Sequence, residues 1–88
     1  MTSYRLSPSV LSVRQGIDTV LLDIHYDLFF SLNDLGGRCW TLIGNGRPVD
    51  EIVATLAEEY DTPTDVVSQD VAQFLADLTK SHLVICDE

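Results

Sequence analysis

The side chains that could carry chemistry in this sequence are two cysteines, two histidines and a set of carboxylates concentrated toward the C-terminus. A zinc site requires about four converging ligands, normally arranged in close pairs. Asp23 and His25 form a single weak pair, two residues apart in the sequence, and His82 has no ligand at a recognisable metal spacing. We therefore predict no metal site.

Cys39 is the clearest candidate nucleophile, and its position argues against that role. It falls in the apolar stripe of a predicted helix, where burial raises the pKa of a thiol and leaves it unreactive. No serine or cysteine is paired with a base in the sequence pattern. We expect Cys39 and Cys86 to be reduced core residues of a cytoplasmic protein. The sequence thus predicts no catalytic residue, no cofactor and no enzymatic activity.

The segment Leu35–Trp40 reads Leu-Gly-Gly-Arg-Cys-Trp and is similar to the Leu-Gly-Gly-x-Ser signature of peptidyl and acyl carrier domains. Those domains bear phosphopantetheine on the serine, and Cys39 occupies that position here. They are also all-helical, whereas about the first thirty residues of this chain are strand-like. A carrier-like domain is the less favoured alternative.

The formal charge of −9 lies entirely in the C-terminal part of the chain. Residues 1–49 contain four acids and four bases, whereas residues 50–88 contain ten acids and only Lys80 as a base. Such an acidic surface disfavours nucleic acid and anionic lipid and favours a partner carrying Lys or Arg. The longest apolar run, around Val20–Ile24, is too short to span a bilayer. We therefore predict no membrane partner.

Three short apolar segments, separated by turn residues, precede the helical part of the sequence. They predict a three-stranded antiparallel sheet of strands Ser9–Arg14, Thr19–Ile24 and Tyr26–Leu32. The turns fall at residues 15–18 and 25–27.

Helical periodicity begins after Asn33, a good N-cap, and three helices are predicted. Gly44–Gly46 ends the first helix and the second begins near Pro48. The third opens at Thr62–Pro63, with Asp65 at the capping-box position. Leu83–Cys86 forms a short extended tail. The order βββααα predicts a single domain over residues 1–88, with an α+β, winged-helix-like fold.

The predicted strand Tyr26–Leu32 carries more aromatic surface than one covered sheet face needs. One alternating set of its side chains is wholly apolar, and the other still contains Phe29. Either all of these side chains are core, or the strand is an exposed edge. An exposed apolar edge is an aggregation hazard unless it receives an incoming strand.

An ordered set of motifs over about residues 6–86 resembles the PqqD-like family, and most closely its stand-alone RiPP recognition elements of lasso peptide biosynthesis. The motifs are Val20-Leu21-Leu22-Asp23, the run from Tyr26 to Asn33, Gly37, Trp40, the run from Asn45 to Val53, Asp70-Val71, Phe74-Leu75, Leu78 and Leu83-Val84.

The resemblance implies that the chain binds the leader of a ribosomal precursor peptide as an added strand on its third strand, against its third helix. It also implies a separate leader peptidase, a transglutaminase-like cysteine protease, as a partner, with the cyclase as a further candidate. The implied peptide-binding residues are Tyr26, Leu28, Phe29, Phe30, Val67, Asp70, Val71, Phe74 and Leu78.

Two features of this implied site are open on the sequence alone. The division of its apolar residues between groove and core is undecided, and Asp70 is either a partner for a leader Lys or Arg or an ordinary exposed acid. A winged-helix DNA-binding regulator is the main alternative function. Asp65, Asp70 and Asp77 on the third helix argue against it, because these carboxylates repel phosphates.

Overall fold

The computed structural model describes residues 3–87, which form an α+β arrangement of antiparallel strands and three helices. The elements are β1 (Ser3–Leu6), β2 (Val10–Gln15), β3 (Asp18–Asp23), β4 (Leu28–Leu32), α1 (Asp34–Gly44), α2 (Val49–Glu59), α3 (Thr64–Lys80) and β5 (Val84–Asp87). No helix within residues 3–87 is both long enough and apolar enough to cross a membrane.

The predicted sheet is present, but it is one of two sheets. Strands β2, β3 and β4 form the expected antiparallel meander, while β1 pairs antiparallel with β5 in a separate two-stranded sheet. The order βββααα was therefore incomplete. The prediction missed β1 and left the tail unpaired, because Ser3 meets Asp87 only in the folded chain and four residues carry little periodic signal. The winged-helix part of the prediction stays a prediction.

The strand predicted at Tyr26–Leu32 begins later than expected, at Leu28. Asp23 is fully buried, and its Oδ1 accepts hydrogen bonds from the backbone amides of His25 (3.0 Å) and Tyr26 (3.3 Å). Asp27 then takes a left-handed conformation, with φ of 56°. These contacts place Tyr26 in the turn between β3 and β4 rather than in the strand.

The helix boundaries confirm two predicted caps and correct a third. Asn33 caps α1, with its Oδ1 accepting the Gly36 amide at 2.8 Å. Gly46, at φ of 78°, follows the end of that helix as expected. Thr62 does not cap α3. Its hydroxyl donates to the Tyr60 carbonyl instead, and the N-cap residue is Pro63.

The core lies between the helices and both sheets, since the β1–β5 pair contributes Tyr4, Leu6 and Val84 to it. Leu21 is completely buried beneath α1, and α1 approaches β3 closely at Gly37, where a Cβ atom would lie only 2.5 Å from Oγ1 of Thr19. Glycine at this position therefore permits the helix to pack against the strand. The packing leaves β4 at the sheet edge, next to the start of α1.

Candidate functional site

The free side of β4 presents unpaired backbone groups. Successive residues of an antiparallel strand direct their N–H and C=O groups to opposite sides. The Ile24 amide donates to the Ser9 carbonyl on the β2 side. The backbone groups of Leu22, two residues earlier, therefore also point toward β2. The backbone groups of Leu21 point the other way, toward β4, and bond to the backbone of Phe30. It follows that the backbone groups of Phe29 and Ser31 point to the open edge.

Side chains of β4 divide between two faces of the sheet. Phe30 and Leu32 share the inner face with Leu21, and both contribute to the core. Phe29 lies on the outer face in register with Leu22, and 72% of its surface is exposed. Leu28 is about half exposed at the start of the strand. The structure therefore assigns Phe30 mainly to the core and leaves Phe29 and Leu28 accessible.

An apolar groove of about 260 Å³ lies between α1 and α3, and we call it the α1–α3 groove. Four of the five predicted α3 residues line it. Leu78 does not, because it is buried one turn further along in the core. The groove is lined by Asn33, Leu35, Gly36, Cys39, Leu56, Val67, Asp70, Val71 and Phe74.

The groove joins the end of β4. A Cβ atom at Gly36 would lie 3.5 Å from the Leu32 side chain and 3.5 Å from Cε1 of Phe74, so these three residues meet where strand and helices converge. Cys39 and Leu56, which are almost fully buried, form the floor. Asp70 is exposed and supplies the one charged side chain of the lining. The arrangement suits an apolar side chain next to a cationic one.

Tyr26 lies outside this groove. Its ring stacks on the ring of His82, with the ring centroids 5.8 Å apart and an interplanar angle of 28°. It also meets the ring of His25 edge-on, with the centroids 4.7 Å apart. His82 follows α3 in the chain and has a φ of 62°. Tyr26 therefore connects the start of β4 to the C-terminal end of α3, and both histidines pack against its ring.

Nothing in the described residues supports catalysis at Cys39. The side chain is 1% exposed, and burial raises its thiol pKa to about 12. The thiol is therefore neutral at physiological pH. Within residues 3–87, no group of three or more His, Cys, Asp or Glu side chains comes together as a metal site would require.

Sequence reasoning missed the α1 side of the groove and the role of Asp23. Gly36 belongs to the Leu-Gly-Gly segment, and its small size is the signal that could have indicated a cavity beside it. Asn33 was identified only as a helix cap, although it also stands at the rim. Asp23 fixes the turn that sets the start of β4, and a carboxylate in an apolar strand was the available signal.

The fold and site define a class: a small α+β domain with an open strand edge beside an apolar interhelical groove. The sequence model described as coenzyme PQQ synthesis protein D (PqqD) matches residues 18–84. The chain belongs to the PqqD family, as its motifs predicted. A search of curated protein sequences finds no significant match.

Two solved structures have the same fold. The first, described as TbiB1 in complex with the TbiA(beta) leader peptide, is 30% identical, with a TM-score of 0.86 over 91% of this chain and 93% of that one. The second, described as lasso peptide synthetase B1 complexed with the leader peptide, is 20% identical, with a TM-score of 0.86 over 94% of this chain and 98% of that one. At that lower identity it supports the fold alone. The expected kinship with PqqD-like RiPP recognition elements is confirmed.

Proposed function

We propose that this chain is a non-catalytic recognition element that binds the leader of a ribosomally made precursor in lasso peptide biosynthesis and holds it for a separate leader peptidase. The observation that carries the proposal is the open edge of β4 beside the α1–α3 groove. The 30%-identical structure, which contains a leader peptide, supports the choice of guest.

The leader adds to the sheet as a fourth strand next to β4. Its backbone bonds to the N–H and C=O groups of Phe29 and Ser31, because these point to the free edge. Leader residues opposite Phe30 and Leu32 share the inner face, since directly paired residues point to the same side of a sheet. Those side chains are the ones that approach the α1–α3 groove. Backbone bonds thus set the position, and the groove selects the side chain.

Charge adds selectivity at the rim of the groove. Asp70 takes part in none of the ion pairs among residues 3–87, which join Arg5 to Asp87, Arg38 to Glu59 and Arg47 to Glu51. A Lys or Arg of the leader therefore meets an available carboxylate. The excess of acids beyond residue 50 attracts the same cationic leader before contact.

The contribution of the domain to maturation is effective concentration. Ordering a flexible leader costs about 2–5 kcal/mol, so apolar anchors must supply the affinity. Once the leader is held, its encounter with a peptidase bound to the same assembly becomes effectively intramolecular. No bond of the substrate is broken by this chain.

The direct test is titration of the full chain with a fluorescently labelled leader peptide, taken from a precursor gene identified next to the gene for this protein. We expect saturable binding to the full chain. Ser31→Pro should abolish it, because proline removes an N–H that points to the open edge and leaves the β3 side of the strand intact. Ser31→Ala, which keeps the N–H, is the matched control and should bind normally. Absence of saturable binding would contradict the proposal. Equal binding by both variants would show that the leader does not pair with β4.

A further inference from the structure

A second cleft, of about 310 Å³, lies on the opposite flank of α1 from the α1–α3 groove. It is bounded by the β2–β3 hairpin, and we call it the hairpin cleft. Arg14 and Thr19 reach it from the two strands, and Arg38 and Trp40 reach it from α1. None of its α1 residues lines the α1–α3 groove. The two sites can therefore be occupied at the same time.

The lining of the hairpin cleft contains more basic than acidic side chains, unlike the chain as a whole. Two arginines and one acid, Asp34, line it, whereas the α1–α3 groove has Asp70 and no cation. The chain as a whole has five cations against fourteen acids. Because Glu59 pairs with Arg38 and Asp34 also lies in the lining, Arg14 is the lining cation that has no ion-pair partner among residues 3–87.

The two arginines differ in whether they already have an ion-pair partner. Arg38 makes a bidentate ion pair with Glu59, at 2.8 and 2.9 Å. Arg14 takes part in none of the ion pairs among residues 3–87, and its Nε donates to the Gly16 carbonyl at 3.1 Å. That bond orients the guanidinium and leaves its terminal nitrogens available. Arg14 is therefore the group that can receive an anion.

The lining of the cleft includes one residue with an unpaired hydrogen-bond donor, Trp40. Trp40 is 3% exposed, and its indole N–H is buried without an acceptor. A buried donor without an acceptor is destabilising, so a guest acceptor that reached this N–H would be favoured. Asp34 does not supply one, and its carboxylate lies near Tyr60, whose pKa is raised first by burial and then by that charge.

We propose that the hairpin cleft binds an acidic side chain of a partner polypeptide, with the carboxylate paired to Arg14. The neighbour of that acidic residue is apolar, because Ile17 stands at the hairpin turn with 70% of its surface exposed beside the cleft. This acidic guest differs from the proposed leader, whose Lys or Arg would pair with Asp70 at the other site. The chain thereby offers two sites of opposite charge preference on the two flanks of α1.

Trp40 is the only tryptophan, so its indole N–H gives a single NMR signal that reports on the cleft wall. The full ¹⁵N-labelled chain is titrated with N-acetyl-glutamyl-leucine amide, with the glutaminyl analogue, and with sodium acetate. We expect a saturable shift of the Trp40 signal with the glutamyl peptide only. Equal shifts with the glutaminyl peptide would overturn the acidic preference. Equal affinity for acetate would overturn the assignment to a polypeptide.

Arg14→Gln tests the cation directly, and Arg47→Gln is its matched control because Arg47 lies outside the cleft. We expect affinity for the glutamyl peptide to fall about tenfold in the first variant, through loss of a charge-assisted bond, and to be unchanged in the second. Unchanged affinity in Arg14→Gln would overturn the proposal. Leader binding should be normal in both variants, so failure of the leader proposal is detected separately.

Discussion

Gly36 of α1 and Phe74 of α3 meet in the lining of the α1–α3 groove. A Cβ atom on Gly36 would lie 3.5 Å from Cε1 of the phenylalanine ring, which is ordinary van der Waals contact. The ring is half-buried and packs against the core on one side while lining the groove on the other. Phe74 is consequently the residue whose loss should change the groove most.

Phe74→Ala should weaken leader binding at least tenfold, as expected for an aromatic side chain lining a recognition pocket. Because the ring also touches the core, the variant is checked by circular dichroism and thermal unfolding before its affinity is measured. Normal affinity in a folded Phe74→Ala protein would show that the groove is not the leader site.

Phe29→Ala should have a smaller effect on binding and almost none on stability. The side chain is exposed on the outer sheet face, where it can pair only with outward side chains of an added strand. Such cross-strand pairs contribute about 0.2–1 kcal/mol. We expect a loss of affinity of up to about fivefold in the labelled-leader titration. A loss larger than that of Phe74→Ala would place the main contact on the outer face.

Asp70→Asn should reduce leader affinity mildly and reduce its dependence on salt. The carboxylate is exposed, and exposed ion pairs contribute about 0.2–1 kcal/mol. Leader titrations at low and high salt measure both effects. The control variant is Asp77→Asn, which lies on the same helix but outside the groove lining. Identical salt dependence in the wild type and Asp70→Asn would make Asp70 an ordinary surface acid.

Asn33→Ala should destabilise the fold by about 1 kcal/mol, because it removes the acceptor of the Gly36 amide at the start of α1. In a chain of this size that corresponds to a fall in Tm of about 4–8 °C. Thr62→Ala is the matched control, since Thr62 resembles a cap in the sequence but caps no helix. An equal fall in both variants would contradict the assignment of the caps.

Cys39 should be unreactive in the folded protein. Iodoacetamide at pH 8 should modify the partly exposed Cys86 first and reach Cys39 only after unfolding in urea. Burial keeps the Cys39 thiol protonated up to a pKa of about 12, against an ordinary value of 9.0. The unfolded chain therefore loses this proton first, and stability falls as pH rises from about 9 toward 12. Cys39→Ala should show a smaller fall, measured by urea unfolding.

Local patterns predicted the elements whose signals are local. The apolar runs of β3 and β4, the Asn33 cap and the spacing of Asp70 and Phe74 on α3 all follow from neighbouring residues. Pairing of Ser3 with Asp87 does not, because it joins opposite ends of the chain.

The residues that form the groove floor could not be predicted from the sequence either. Cys39 and Leu56 come together only through the packing of the helices, and no local period reports how helices pack. The start of α3 was misassigned because Thr62–Pro63 has the residue types of a capped helix, while the Thr62 hydroxyl bonds backward to Tyr60. Asp23 shows the same limit, since its role depends on which amides the folded turn brings to it.

Amide hydrogen exchange along β4, with and without saturating leader peptide, tests strand addition most directly. The Leu28 and Phe30 amides already face β3, so they should be protected in both states. The Phe29 and Ser31 amides face the open edge, and they should exchange rapidly in the free protein and slow markedly when the leader is bound. Rapid exchange of both amides in the saturated complex would contradict binding at the β4 edge.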